Sequence, residues 1–211
     1  MSHDDFAVEP IPGLPERLPP GERILWQGRP STWALAREAL ALWWVVGYFV
    51  LLAVWRVGAS SADIPFVSAL PQAIPFMALG LLAGGIILLI AWVQAKATVY
   101  TITNARVAMR IGAALTVTLN LPFNRIFAAD LDRRGDTGTI AFRTEHGARL
   151  SYLVLWPHVR PWKMRPTQPA LRCVPEIEKV SQVLAEAAET RLSEPRIRSV
   201  QSGDHDAVAA E

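Results

Sequence analysis

Residue types that could do chemistry are sparse in this chain. The four histidines, His3, His146, His158 and His205, are scattered, two towards the chain ends and one in an expected turn, and none has the spacing of a metal-ligand pair. Cys173 is the only cysteine, so one chain forms neither an internal disulfide nor a thiolate cluster, which suits a reducing compartment. Asp130 and Asp132 alternate with Ala129 and Leu131 and share one strand face, where a solvated edge explains them better than acid–base catalysis. There is no glycine-rich phosphate loop and no nucleophile elbow. The expectation is a protein that is not an enzyme and that uses no cofactor and no metal.

The densest cluster of contact-forming residues is Trp156, Arg160, Trp162, Lys163 and Arg165, interrupted by Pro157 and Pro161, followed by Pro166, and free of acids. It reads either as a rigid connection or as a surface for a partner or lipid, since Trp and Arg are favoured contact residues. Residues 96 to 166 hold eleven Lys and Arg against four acids, although the whole chain is only +2. That basic excess is either a solvated face or a face that feels anionic headgroups.

The elements that must position these residues are of two kinds. Uncharged stretches run from Ala39 to Trp55 and from Ile64 to Ala95. Since about 20 apolar residues span a bilayer core, they predict a two-helix transmembrane hairpin, about 34–55 and 74–94 within residues 33–95. Arg37 and Glu38 fall near the headgroups, and Pro65, Pro71 and Pro75 make the approach to the second span irregular. Trp33, Trp43, Trp44, Trp55 and Trp92 suit an aromatic belt, with Trp43 and Trp44 alternatively packing between helices. Arg17, Arg23, Arg29 and Arg37 precede the hairpin and Lys96, Arg106 and Arg110 follow it, whereas only Arg56 lies in the connection, so both ends are expected to be cytoplasmic. The opening residues lack the pattern of a signal peptide, which leaves insertion to the first span. Gly80 and Gly84 would let another helix approach closely, within the hairpin or across a homodimer.

After Lys96 the pattern alternates. Tyr100 and Ile102, then Val107, Met109 and Ile111, then Leu115, Val117, Leu119 and Leu121 read as strands, followed by Phe127 to Leu131, Ile140 with Phe142, and Leu150, Tyr152 and Val154. Turns are expected at Arg134 to Gly138 and at Glu145-His146-Gly147. From Pro175 the period becomes helical, with Ile177, Val180, Val183, Leu184, Ala187, Ala188 and Leu192 on one stripe that would cover the strands. The organisation expected is an N-terminal segment 1–32, the hairpin, a domain 96–192 and a disordered tail 193–211. The fold class is membrane α+β, an antiparallel sheet or barrel capped by a C-terminal helix.

Three patterns carry a resemblance: Glu22-Arg23-Ile24-Leu25-Trp26-Gln27-Gly28-Arg29-Pro30-Ser31 ahead of the hairpin, Tyr100-Thr101-Ile102-Thr103-Asn104-Ala105-Arg106-Val107, and Gly138-Thr139-Ile140. In this order they resemble the bacterial pleckstrin-homology-like (PH-like) membrane proteins, over about residues 20 to 192. The resemblance implies that the Trp-x-Gly segment leads into two membrane helices, then a seven-stranded curved sheet closed by a helix. Within the family the chain is similar to assembly factors of purple-bacterial photosynthetic complexes, on the Pro-rich opening Phe6 to Pro20, on Trp156 to Trp162 and on Gln168 to Pro175. That likeness alone implies a non-catalytic accessory role in the inner, intracytoplasmic membrane, with reaction-centre and light-harvesting subunits as partners. Anionic lipid is a further candidate partner and nucleic acid is not. No histidine falls in either span to ligate a pigment; Gln72 and Gln94 could substitute, though interfacial amide roles explain them more simply. The competing reading is a PH-like module that binds anionic lipid, or another membrane protein, without a link to photosynthesis.

Overall fold

The computed structural model describes residues 11–112, 116–144 and 151–193. Leu115, the expected turn at Glu145-His146-Gly147, Leu150 and nearly all of the expected tail lie outside the described residues.

β1 (Ile24–Gly28) leads to α1 (Thr32–Ala34), whose first turn is capped by Ser31 through Oγ accepting from the Ala34 N–H at 3.5 Å. A π-helical turn, Leu35–Ala39, continues it. Ala41 then takes the left-handed conformation at φ +56°, and α2 (Leu42–Ser60) starts afresh. The helix expected from about residue 34 to 55 is therefore two pieces, because a left-handed residue cannot continue a right-handed ladder. Its second piece runs on through Arg56 to Ser60. α3 (Phe66–Ala69) and a 3-10 turn (Leu70–Ala73) absorb Pro65 and Pro71, and Pro75 sits in the first turn of α4 (Ile74–Ala97), where a missing N–H costs nothing. α2 and α4 are each long and apolar enough to cross a membrane.

β2 (Val99–Thr103), β3 (Arg106–Ile111) and β4 (Val117–Pro122) follow as an antiparallel meander, and β1 joins the free edge of β2 with Gly28 opposite Tyr100. The helical hairpin is thus an insertion between two neighbouring strands of one sheet, leaving and re-joining it at the same end. β5 (Ile126–Arg134), β6 (Thr137–Thr144) and β7 (Ala170–Pro175) form a second antiparallel sheet in that order. α5 (Tyr152–Leu155) lies in the connection from β6 to β7, and α6 (Ile177–Ser193) closes the domain.

The core joins Tyr100, Ile102, Met109 and Phe123 of the first half to Phe142, Leu171 and Val174 of the second, with Ile177, Val180, Leu184 and Ala187 of α6 laid across them. Gly138 makes that closure possible: a Cβ there would come within 2.5 Å of Ile177 Cγ1 and 2.9 Å of the Asp132 carbonyl oxygen. Leu192, expected on the same stripe, is exposed.

Three expectations are corrected. Tyr152 and Val154 belong to a helical turn rather than a strand, since only Leu155 there is buried while Leu153 and Val154 face outward. β7 falls in a stretch expected to be connection. Residues 11–28 are part of the domain rather than a separate segment: Gln27 Nε2 donates to the Pro12 carbonyl at 2.8 Å and to Thr101 Oγ1 at 2.9 Å. Glu22 Oε1 accepts from Thr103 Oγ1 at 2.8 Å and from Arg106 Nε at 2.9 Å. These contacts cover the second face of β2, which explains why all five of its residues are buried.

Candidate functional site

Where the hairpin meets the domain, a bulge in β7 sets the geometry. Gly138 and Ile140 of β6 pair with Val174 and Leu171, so three steps along β7 face two along β6. The extra residue is accommodated with Cys173 at φ +54°. Such a bulge re-aims side chains that strict alternation would place on opposite faces.

Arg172, only 6% exposed, bridges three elements. Its Nη1 donates to the Pro157 carbonyl at 3.2 Å and its Nη2 to the Glu38 carbonyl at 3.2 Å, while its Nε has no partner among the described residues. The neighbouring Cys173 carbonyl accepts from the Ser31 N–H at 2.8 Å, so the hairpin base is tied to β7 twice. Burial pushes the Cys173 thiol up to about 12, which favours the protonated thiol at neutral pH.

Behind Arg172 lies a closed polar node that carries the family-like segments. Tyr100 Oη contacts His158 Nδ1 at 2.6 Å and accepts from the Arg172 N–H at 3.2 Å; His158 Nε2 lies 3.1 Å from Thr98 Oγ1. The consistent assignment has the Tyr100 hydroxyl donating to Nδ1 and the Nε2 proton donated to Thr98, which is a neutral imidazole. Burial, helped by the Arg172 charge, holds His158 down at about 3 and burial raises Tyr100 above the usual phenol range. Hydrogen-bonded within itself and shut off from solvent, the node positions the 157–160 backbone on β2 and β7.

In front of Arg172 an open cleft of about 960 Å³ is lined by Arg37 and Glu38 of the π-helical turn, by Trp44 of α2, by Arg134, and by Trp156 and Trp162. Glu38 Oε1 accepts from Arg37 Nη2 at 2.8 Å, and its Oε2 lies 4.0 Å from Arg134 Nε. Three arginines and one carboxylate line the cleft, and Arg134 Nε also donates to Asp132 Oδ2 at 3.2 Å just outside it, so the excess of positive charge is carried by Arg37 and Arg172. Arginines and tryptophans lining one cleft are residue types that suit an anionic or amphiphilic ligand.

Of the residues expected at a contact surface, Trp156 and Trp162 line this cleft and Lys163 and Arg165 are exposed beside it. Arg160 is engaged within the domain surface rather than in the cleft: its Nη1 pairs with Asp130 Oδ2 at 2.6 Å and reaches Gln168 Oε1 at 3.2 Å. Asp130, which also accepts from Arg143 at 2.8 Å, is held below the usual carboxylate range, first by Arg143 and then by Arg160. Gly80 and Gly84 lie between α2 and α4, lining an apolar groove of about 360 Å³. A Cβ on Gly80 would fall 2.9 Å from Phe49 Cβ, so this glycine serves the close approach within the hairpin; at Gly84 the nearest atom is Leu42 Cδ1 at 3.8 Å. Arg37, Glu38, Trp44, Arg134 and Arg172 were not singled out as one site, because they meet only through the bulge and the break at Ala41.

Residues 38–188 match the bacterial PH domain family. The chain belongs to that family. The match starts in the hairpin base, so α2, α3 and α4 and every named residue of the cleft lining except Arg37 lie within the family region. A protein of Rhodobacter capsulatus, described as an uncharacterized 23.7 kDa protein in the puhA 5' region, is 47% identical over 200 residues, covering 93% of this chain and 94% of the relative. No solved structure matches the chain.

Proposed function

We propose that this bacterial PH-like protein is a non-catalytic assembly factor for photosynthetic membrane complexes, of the kind its likeness to PuhB implies. The observation that carries the reading is the Rhodobacter capsulatus relative, similar along nearly its whole length and described by its place upstream of puhA, a photosynthesis gene. The hairpin lies in the inner membrane with both termini in the cytoplasm. Supporting this, the hairpin is inserted between paired strands β1 and β2, so its two ends depart from one side, and both of its helices suit a bilayer in length and composition. In that placement α2 and α4 stand among newly inserted reaction-centre and light-harvesting subunits, where helices associate by close packing without a cofactor. The domain, anchored through Arg172 and Cys173, is held against the cytoplasmic headgroups.

Deleting the gene in its own host tests the proposal. Reaction-centre absorbance per cell should fall while transcripts of the reaction-centre genes stay level, and a plasmid copy should restore it. Unchanged accumulation of both reaction centre and light-harvesting complexes contradicts the reading.

A further inference from the structure

The cleft at the hairpin base holds a buried cation, Arg172, that forms no ion pair among the described residues. Arg172, with 6% exposure, is bonded to two carbonyl oxygens, and its Nε has no partner among the described residues. A buried guanidinium satisfied only by neutral groups is costly, and an anion entering the cleft would relieve that cost. The rest of the lining agrees. Arg37 and Arg134 flank the opening, Arg37 engaging the Glu38 carboxylate at 2.8 Å and Arg134 the exposed Asp132 carboxylate at 3.2 Å, each with guanidinium donors left over. Ala41, which gives α2 no side-chain cap, also lines the cleft, so the positive end of a 19-residue helix opens there.

We propose that the cleft binds the phosphate of an anionic phospholipid, seated between Arg37, Arg134 and Arg172. The source of the phosphate is argued from the rim. Trp44 is 83% exposed, Trp162 89% and Met164 61%, with Trp156 half-exposed beside them. Amphipathic rings around a cationic cleft match the boundary between headgroup and acyl chain, and a soluble anion would have no use for them. Trp44 stands in the first turn of α2, so in a bilayer this rim falls at headgroup depth. The bound lipid would act as a wedge that fixes the domain on the membrane through Arg172, the residue already joining β7, Pro157 and Glu38. The inference rests on the hairpin lying in lipid. It does not depend on what the protein assembles.

The test is calorimetric titration of the full chain, purified in neutral detergent, with dioctanoyl phosphatidylglycerol, dioctanoyl phosphatidylcholine and inorganic phosphate. Phosphatidylglycerol should saturate one site, and the double variant Arg37→Gln, Arg134→Gln should weaken it by about tenfold or more. Both side chains are partly exposed, 40% and 55%, so their loss opens no core. The charge-matched variant Arg125→Gln, Arg133→Gln, away from the cleft, should stay within about twofold. Mass spectrometry of lipid retained from the membrane by the unaltered protein should show anionic phospholipid, depleted in the first variant. The proposal is overturned if phosphatidylcholine binds as tightly, if both variants lose affinity alike, or if inorganic phosphate binds as tightly as the lipid, which would make this a soluble-anion site. Such failure leaves the gene-deletion result standing, so the two readings fall separately.

Discussion

The hairpin and the sheet domain use the same apolar residue types and treat them in opposite ways. In the domain Phe142, Ile140, Leu171 and Val174 are all but sealed from solvent, whereas on the hairpin Leu51, Trp55, Leu81 and Leu82 are between 61% and 81% exposed. A large apolar side chain left fully in water forfeits about 1.5–3 kcal/mol, and a run of partly exposed ones along two helices would cost more than the stability of an ordinary domain. In lipid the same exposure costs nothing. One half is held together by burial from water; the exposed apolar surface of the other fits the proposed placement in lipid, with close helix packing at Gly80. The Arg172 joint is where these two regimes meet.

The sharpest way to break this contrast is to truncate one side chain in each half. Phe142→Ala should destabilise the domain by about 3–5 kcal/mol in denaturant titrations followed in detergent. Leu82→Ala on the hairpin should stay within about 0.5 kcal/mol. Comparable losses at both sites would mean that the hairpin is a packed core like the domain.

Acid comes next. His158 is held at about 3 against an ordinary 6.5, so the unfolded chain takes up a proton that the folded one refuses. This group leaves stability unaffected above about pH 6.5 and erodes it as pH falls towards about 3, by at most about 1.4 kcal/mol per pH unit. Unfolding free energies measured from pH 7 to pH 4 should show that slope, and His158→Gln should flatten it. An unchanged slope in the variant would remove His158 from the account.

Within the hairpin, Gly80→Ile should cost about 1–3 kcal/mol by forcing α4 away from Phe49. Gly85→Ile, where a Cβ meets open space, should be silent. Thermal melts in detergent compare the two; equal effects would deny Gly80 its packing role. The smallest expected effect is at the surface. Arg160→Gln should cost about 1 kcal/mol or less, being partly exposed. Its stabilisation should be present at neutral pH and fade in acid as Asp130, whose folded pKa is lowered, takes up its proton.

The alternating strands, the helical stripe of α6 and the two apolar helices were legible because each repeats a simple period over many residues. Tyr152 to Leu155 misled because four residues are too few to separate a period of two from a single helical turn. β7 escaped because its bulge breaks alternation at Cys173, and β1 because a strand separated from its partner by the whole hairpin has no local signal. The cleft was half legible: Trp156 and Trp162 drew notice by type, whereas Arg172 and Arg134 are ordinary strand residues until the bulge and the left-handed Ala41 bring them to Glu38. His158 could not be recognised as a sealed structural node, since Thr98 and Tyr100, its partners, lie about sixty residues away.

Site-directed labelling in sealed inner-membrane vesicles tests the central claim most directly. Asp63→Cys, at the hairpin tip, and Glu178→Cys, at the start of α6, should react with an impermeant maleimide from opposite sides of the membrane, with residue 178 on the cytoplasmic side and the protein resisting extraction by alkaline carbonate. Labelling of both positions from one side, or release by carbonate, would contradict the account.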